Sequence, residues 1–409
     1  MLAVITEVAP HIANDEILVF LLTLAQIVHH SMPLLKVGVD PRARRSGRRS
    51  EMLKTIIPFG PQHPVLPEPL HLKLTVEDEI ITEVFPALGF VHRGLENLVN
   101  LRDFQQMIQV IERVCGICSM IHAMCFCQGL EEMMEVEGPP RAKYLRIIWS
   151  ELHRMQSHLL WLGLFADSFG FESLFMQFWK IREKVLDINE ATTGNRVIIS
   201  VNVIGGVRRD LSSEQLRWIL SDLSWIENEM GLLETTLLSD YTVKKRTVGK
   251  GVLPKEKAFE LGAVGPTARA SGIAQDMRML GYSALGQLDF EPVVETAGDC
   301  YARGKVRFQE VLQSINLVRQ AIGKIPAGEI RVKVKGRPEG ETFTRVEQPR
   351  GELFYYIKAN GSKNLERLRI RTPTFANIPA LLNILPGMWL SDVPVVVLSI
   401  DPCISCTER

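Results

Sequence analysis

Two short stretches decide how this chain is organised: RVCGICSMIHA (residues 113–123), in its first third, and DPCISC (residues 401–406), near its end. Each contains two cysteines separated by two residues, a spacing that lets both sulfurs turn toward one metal ion. A structural zinc site usually closes a small local loop, whereas most of this chain lies between the two pairs. A metal held by all four cysteines would join the two ends of a large domain, as in a buried catalytic centre.

The cysteines alone do not identify the metal. Thiolates are soft ligands and select zinc, copper(I), iron–sulfur or nickel centres over magnesium or calcium. A structural zinc or iron–sulfur site, a redox metal catalyst and unrelated reduced cysteines all fit the spacing. The remaining Cys125, Cys127 and Cys300 are predicted to be buried thiols. Seven cysteines in 409 residues are too few for an extracellular disulfide framework, which predicts a reducing cytosol.

Composition limits the classes of protein further. Lys and Arg number 47, as do Asp and Glu, so the formal net charge is zero and no nucleic-acid partner is expected. With 46% hydrophobic and 23% charged residues, the chain has enough apolar material for a folded core. The longest apolar segment, residues 17–28, is shorter than the roughly 20 residues that a membrane-spanning helix needs. We therefore expect no transmembrane helix.

The N-terminal segment differs from the rest of the chain. Residues 1–51 end in PRARRSGRRS (residues 41–50), a run typical of a solvated tail. We expect this segment to be an atypical extension, either disordered or not native, with Met52 as an alternative start. Residues 52–409 are predicted to form the functional domain.

Hydrophobic periodicity predicts a mainly α protein with small β elements, in the α+β class. Apolar residues recur at helical spacing over residues 145–162 and again over residues 216–237, where a capping box from Ser212 to Gln215 marks the start. These long helices imply a bundle, with a β-hairpin at its N-terminal edge and strands toward the C-terminus. The other predicted elements are a hairpin over residues 70–85, an extended excursion within 193–210, a helix around 311–322, and strands at 332–336, 352–359 and 393–400.

The two cysteine motifs resemble the signatures of the nickel-iron hydrogenase large subunit, R-x-C-G-x-C-x-x-x-H and a closing D-P-C-x-x-C. GPQHP (residues 60–64) and HRGLE (residues 92–96) resemble the energy-converting, membrane-associated branch, which is related to the quinone-site subunit of respiratory complex I. The Ech and carbon-monoxide-induced types look most similar. The resemblance extends over roughly residues 55–409 through IPFGPQHPVLPEP (57–69), SHLLWLG (157–163), GGVRRD (205–210), GAVGPTARASG (262–272), QPRGEL (348–353) and TPTFAN (372–377).

This resemblance implies a nickel-iron centre with cyanide and carbonyl ligands on the iron. Carried over by motif, Cys115 and Cys403 would be terminal nickel ligands, and Cys118 and Cys406 would bridge the two metals. Arg350 and Thr374 would hydrogen-bond the cyanides, and Arg350 would also overhang the open site.

The resemblance also implies roles for four residues near the thiols. Glu68 would carry protons from a terminal thiolate, and Asp401 would belong to the outer canopy of the site. His122 would hydrogen-bond a cysteine sulfur. Glu96 matches an accessory magnesium or iron ligand, but Arg409 stands where many relatives have the histidine that shares this ion. An end at Arg409 fits either a mature C-terminus or a branch without a removable extension.

The function that the resemblance implies is reversible reduction of protons to H₂, with electrons from ferredoxin through an iron-sulfur small subunit. Other complex-I-like subunits, some of them integral membrane proteins, would hold the chain on the cytoplasmic face of the cell membrane. The alternative is a non-catalytic, complex-I-like quinone-site subunit. The two cysteine pairs favour the hydrogenase, because a quinone-site subunit has no use for them.

Overall fold

The computed structural model describes residues 54–409, so the predicted extension at residues 1–51 lies outside the described residues. This part of the chain combines long helices with small antiparallel sheets, which confirms the α+β class. The helices are α1 Phe104–Ile111, α2 Ser119–Met133, α3 Pro140–Asp167, α4 Glu172–Thr193, α5 Ser213–Ser239, α6 Tyr241–Thr247, α7 Lys255–Glu260, α8 Gly265–Arg269, α9 Cys300–Lys324, α10 Pro373–Ile384, α11 Val393–Ser399 and α12 Ile404–Glu408. The strands are β1 Thr55–Phe59, β2 His71–Glu77, β3 Ile80–Ala87, β4 Asn202–Val203, β5 Gly206–Val207, β6 Glu339–Gln348, β7 Gly351–Asn360 and β8 Arg367–Arg371.

Helix α3 forms the centre of the helical bundle. It packs against α4 and α9, and it is buried on nearly all sides rather than along one stripe. Trp161, for example, lies on the opposite side from the predicted apolar face and is also buried. Helix α5 begins at the predicted capping box, where the Gln215 amide donates to Ser212 Oγ and the Ser212 amide donates to Gln215 Oε1.

Two three-stranded antiparallel sheets flank the bundle, in the orders β1-β2-β3 and β6-β7-β8. The predicted hairpin is β2 and β3, and its tight turn places Asp78 and Glu79 at positive φ. Strand β7 contains the predicted strand at residues 352–359. The predicted excursion within 193–210 is the small β4-β5 pair.

Two predicted strands are wrong. Residues 393–400 form helix α11 instead, which starts with a proline in its first turn and is buried along most of its length. A short run with a single polar residue, Ser399, has no readable period, so tertiary packing decides its conformation. Residues 332–336 form no strand, although Val332 donates its amide to the Gly205 carbonyl.

The fold brings the beginning and the end of the described chain together. Cys118 caps the N-terminus of α2, and Cys403 caps the N-terminus of the last helix, α12. Both cysteine pairs lie beside the N-terminal end of a helix, next to the α3 scaffold. Within residues 54–409, no helix is long and apolar enough to cross a lipid bilayer.

Candidate metal centre

The four cysteines of the two motifs form one buried cluster. Cys115 Sγ lies 3.3 Å from Cys403 Sγ, and Cys118 Sγ lies 3.5 Å from Cys406 Sγ. These distances exceed the roughly 2.05 Å of a disulfide bond, and all four cysteines are free. Sulfurs bound to one metal at about 2.3 Å can lie up to roughly 4.6 Å apart. The cluster therefore has the geometry of a shared metal site.

The pKa values of the thiols also indicate that the cluster needs a bound cation. Hydrogen bonds from the thiols of Cys118 and Cys403 hold the pKa of Cys115 well below its ordinary value. The pKa of Cys118 is raised, chiefly by burial, and that of Cys403 is raised chiefly by its contact with Cys115. Without a cation, the cluster thus stabilises one thiolate only. Four thiolates at this depth require a bound soft metal, which fits the donor set.

The first cysteine pair is held by the bundle. Ile117, between the two cysteines, accepts a hydrogen bond on its carbonyl from Gln156 Nε2 of α3 at 2.8 Å. Ser119 follows Cys118 and donates its hydroxyl to the Val197 carbonyl. Helix α2 behind this pair is buried over most of its length.

The second cysteine pair is held by threonines. The Cys403 amide donates to Thr374 Oγ1 at 3.2 Å, and Thr372 Oγ1 donates to the Cys406 carbonyl at 3.1 Å. Thr374 therefore lies at the cluster, and its hydroxyl proton stays available for another acceptor.

Arg350 and Asp401 form a buried pair beside the thiols. Arg350 Nη2 lies 2.8 Å from Asp401 Oδ1, and Arg350 Nε donates to the Asp401 carbonyl at 3.0 Å. Asp401 has φ of 58°, so the backbone turns sharply just before Cys403. Although burial opposes its charge, the neighbouring Asp401 and the cysteines raise the pKa of Arg350 well above its ordinary value. This fixes a permanent positive charge at the cluster.

A second arginine, Arg307 of α9, supports this pair and was missed by the sequence analysis. Its guanidinium stacks over Trp161 at 4.2 Å, and its Nε lies 4.0 Å from Asp401 Oδ2. Burial lowers the pKa of Arg307 to about 10, which still leaves it charged at neutral pH. Nothing local in the sequence marks it, because it lies far along the chain from every site motif.

Glu68 contacts the second cysteine pair directly. Its carboxylate accepts from the Ser405 amide at 2.7 Å and from Ser405 Oγ at 2.8 Å, while Cys403 Sγ lies 3.9 Å from Glu68 Oε1. Burial, together with the negative charge on Cys115, raises the pKa of Glu68. A partly buried carboxyl of this kind can exchange a proton with its surroundings.

His122 bridges the cluster to the sheet. Its Nε2 lies 3.5 Å from Cys406 Sγ, and its Nδ1 lies 2.7 Å from the hydroxyl of Tyr355 on β7. Burial lowers the pKa of His122 to about 4, so the ring is neutral at pH 7. The three atoms Cys118 Sγ, His122 Nε2 and Cys406 Sγ lie within 4.8 Å of one another. His122 therefore lies in the predicted place, beside a cysteine sulfur.

Arg93 joins the two cysteine loops and was also missed. Its Nη2 donates to the Val114 carbonyl at 2.9 Å and to the Ser405 carbonyl at 3.0 Å, one bond on each side of the cluster. The HRGLE motif contains this arginine, but its long-range acceptors cannot be read from sequence. Arg93 is thus a positioning residue for both pairs.

Glu96 is held by arginines. Its carboxylate accepts from Arg409 Nε at 3.0 Å and from Arg369 Nη1 at 2.7 Å. Among residues 54–409, no group of three metal-ligating side chains includes Glu96. An accessory divalent ion does not fit this carboxylate, because two cations already occupy it.

A cavity of about 90 Å³ opens on one side of the cluster, with enough space for a few small molecules. Its walls combine apolar side chains with the polar groups that surround Cys403. The lining residues are Pro67, Glu68, Ile117, Leu160, Trp161, Leu164, Arg350, Leu398, Asp401, Pro402 and Cys403.

The fold and the thiol cluster define an α+β protein with a buried site for a soft metal. The sequence matches the family described as nickel-dependent hydrogenase over residues 93–164. It also matches the family described as the 49 Kd subunit of the respiratory-chain NADH dehydrogenase over residues 168–337 and 333–409.

Individual relatives of the chain include two hydrogenase proteins, and one similar solved structure belongs to a respiratory membrane complex. The chain is 40% identical over 359 residues to the carbon monoxide-induced hydrogenase of Rhodospirillum rubrum, covering 86% of this chain and 99% of that protein. It is 40% identical over 371 residues to the membrane-bound hydrogenase subunit alpha of Pyrococcus furiosus, covering 86% of this chain and 87% of that one. A chain of the membrane-bound sulfane sulfur reductase, an archaeal respiratory membrane complex, superposes with a TM-score of 0.83 at 28% identity, covering 87% of this chain and 98% of that chain.

The chain belongs to the family that unites the large subunits of nickel-iron hydrogenases with the 49 Kd subunit of complex I, and within it to the energy-converting hydrogenase branch.

Proposed function

We propose that this chain is the catalytic subunit of an energy-converting hydrogenase, which carries out 2H⁺ + 2e⁻ ⇌ H₂. The observation that carries the proposal is the buried cluster of four free thiols at 3.3 and 3.5 Å. Membership in a nickel-dependent family supports nickel as the metal. A subunit that only shaped a quinone pocket would have no need for four buried cysteines around one point.

Each cysteine would hold metal in the arrangement that the family implies. Cys115, Cys118, Cys403 and Cys406 would together hold the metal centre. When bound, the metal pair, with cyanide and carbonyl ligands on the iron, would supply the redox chemistry of H₂. Arg350 lies beside the thiols with a fixed charge, and the free hydroxyl proton of Thr374 can be donated to a buried acceptor.

Protons would leave through Glu68. Its Oε1 lies 3.9 Å from Cys403 Sγ, and the raised pKa of Glu68 suits a group that takes up and releases protons. Ser405 holds the carboxylate from two sides, so the side chain stays aimed at the sulfur. Asp401 would keep Arg350 oriented over the cavity rather than carry protons itself.

Electrons would have to reach the site through another subunit. Cys125, Cys127 and Cys300 are buried, and the described residues offer no further cysteine cluster for an iron–sulfur centre. An iron-sulfur small subunit that receives electrons from ferredoxin would fill this role. The membrane-bound complexes of the relatives suggest integral membrane partners that hold the chain at the inner face of the cell membrane.

The alternative is a non-catalytic, complex-I-like quinone-site subunit, which the match to the 49 Kd subunit family favours. The two functions differ in their dependence on the thiols. A hydrogenase loses all activity when one ligand is lost, whereas a quinone-site subunit does not depend on them.

The test compares Cys403→Ser with Cys300→Ser in the purified complex. Serine is a harder and less acidic donor than cysteine, so Cys403→Ser should abolish both nickel binding and H₂ evolution from a reduced viologen dye. Cys300→Ser, a buried cysteine outside the cluster, is the control and should retain both. Quinone reduction without any H₂ evolution, unchanged in Cys403→Ser, would replace the hydrogenase with the alternative.

A further inference from the structure

The last turn of the chain is anchored by charged side chains in addition to the buried Ile404. Glu408 accepts on its two carboxylate oxygens from the amides of Gly89 and Val91, each at 2.5 Å. Arg409 donates its Nε to Glu96 at 3.0 Å and its Nη1 to the Thr407 carbonyl at 2.9 Å. Glu408 and Arg409, which carry opposite charges, thus both hold α12 in place.

Glu96 lies at the centre of the second of these contacts. Its Oε1 accepts from Arg409 Nε and from the Ile370 amide at 2.9 Å, and its Oε2 accepts from Arg369 Nη1 at 2.7 Å. The exposed fractions of the Glu96 and Arg409 side chains are 15% and 19%, against 50% for Arg369. Arg409 is therefore the inner cation and Arg369 the outer one.

Arg409 transmits this contact to the thiols. The Thr407 carbonyl that accepts from Arg409 belongs to the turn in which Thr407 Oγ1 donates to the Cys403 carbonyl at 2.9 Å. The Arg409 guanidinium also lies 5.5 Å from the centre of the Phe375 ring, at the start of α10. The planar, forked guanidinium of Arg409 thus connects Glu96, α10 and the helix that carries Cys406.

A divalent ion would not fit in the same place. Magnesium needs about six oxygen ligands at about 2.0–2.1 Å, and the partners of the Glu96 carboxylate are N–H donors. Two guanidinium groups at hydrogen-bonding distance from this carboxylate would also repel a further cation. The positive charge that the resemblance assigns to an accessory ion is already supplied by the chain.

We propose that Arg409 replaces the accessory metal ion and positions the C-terminal cysteine pair as a covalently attached cation. An arginine stays charged at every physiological pH and cannot be removed by a chelator. The position of the pair should therefore be independent of free divalent ions. This inference does not depend on which metal the thiols bind.

The test measures amide hydrogen exchange at residues 404–408 in the purified complex. Arg409→Ala removes the inner cation, so exchange over α12 should become at least tenfold faster, a change equivalent to about 1.4 kcal/mol. Arg409→Lys keeps the charge without the fork and should fall between that variant and the natural chain. Arg369→Ala, the outer control, should stay within about threefold of the natural chain.

Two further measurements make the result specific. Free guanidinium ion at low millimolar concentration should restore slow exchange to Arg409→Ala, since it can reoccupy the contact with Glu96. Chelator or added magnesium should leave exchange in the natural chain unchanged. One magnesium per chain that a chelator removes, with faster exchange at residues 404–408, would overturn the proposal, as would unchanged exchange in Arg409→Ala. Nickel is counted in the same samples, so a failure of the hydrogenase proposal is recorded separately.

Discussion

The two cysteine pairs meet at one point, but they are held there in different ways. Cys115 and Cys118 precede α2, a 15-residue helix that is buried along most of its length. Cys403 caps α12 and Cys406 lies on it, and this helix has five residues and would not be stable alone. This second pair is held by polar contacts with threonines, Arg93, Glu68 and the Glu408–Arg409 end. A long buried helix carries one half of the site, whereas the other half lies on a short helix that combines the buried Ile404 with many polar contacts.

This difference predicts where single substitutions act. A polar change near α12 leaves the core intact and should alter chemistry or metal retention. A change in α3 should alter the stability of the whole fold, because α3 supports both halves.

Among substitutions that keep the metal ligands, Glu68→Gln should have the largest effect on turnover, since it removes the exchangeable acid on the polar side of the site. The amide keeps the shape and can still bond to Ser405. H₂ evolution per nickel should fall at least about a hundredfold, which is the lower end of the usual contribution of a positioned acid or base. The measurement is turnover per nickel, with the infrared bands of cyanide and carbonyl recorded on the same samples.

Those bands and the nickel content should stay nearly unchanged in Glu68→Gln. Loss of nickel would indicate a structural carboxylate instead. Near-normal turnover per nickel would remove Glu68 from the proton route.

Arg93→Met tests whether Arg93 holds the two cysteine loops together. Without its bonds to Val114 and Ser405, the loops should separate more easily, and nickel content should fall by at least about half. Arg102→Met changes a nearby exposed arginine and is the matched control. Equal nickel in both variants would show that Arg93 is not needed to hold the two cysteine pairs together.

His158 allows the core side to be tested by pH. Burial lowers its pKa to about 4, in spite of the Glu310 carboxylate at 2.8 Å, and Arg154 and Arg307 add to this lowering. An unfolded chain binds a proton on this histidine below about pH 6.5, but the folded chain resists protonation until about pH 4. The neutral ring therefore costs stability as the pH falls through this window, by roughly 2 kcal/mol at pH 5.

His158→Gln keeps a donor for Glu310 and removes this titration. Its thermal unfolding midpoint should fall less between pH 7 and pH 5 than that of the natural chain. Identical pH profiles would mean that the folded protein accommodates the proton.

The smallest effect is expected from truncation. A chain that begins at Met52 lacks the arginine-rich run and should assemble with its partners and take up nickel as the full chain does. Failure of assembly would place residues 1–51 in the working protein.

Much of the site could be predicted from the sequence because ligand chemistry is local. Two cysteines at fixed spacing mark a metal loop wherever they lie, and the flanking motifs assign Glu68 and Arg350. Long helices were predictable for a similar reason, because their apolar residues recur many times. The run at residues 393–400 has only one polar residue, Ser399, which is too few to set a period, and the run is a helix buried along most of its length.

Arg93, Arg307 and Ser405 could not be assigned in this way. Each acts through a partner far along the chain, such as the Val114 carbonyl or Asp401, and hydrogen-bond partners of this kind have no fixed spacing. Arg409 was visible as a departure from the expected histidine, but its contact with Glu96 required the fold.

The most direct test of the account is metal analysis of the purified complex, combined with infrared spectroscopy. The account predicts one nickel per chain together with sharp bands from metal-bound cyanide and carbonyl, both lost in Cys115→Ser and in Cys403→Ser. Loss in both variants would show that the differently held pairs form one centre. One zinc per chain, with no nickel and no such bands, would contradict it.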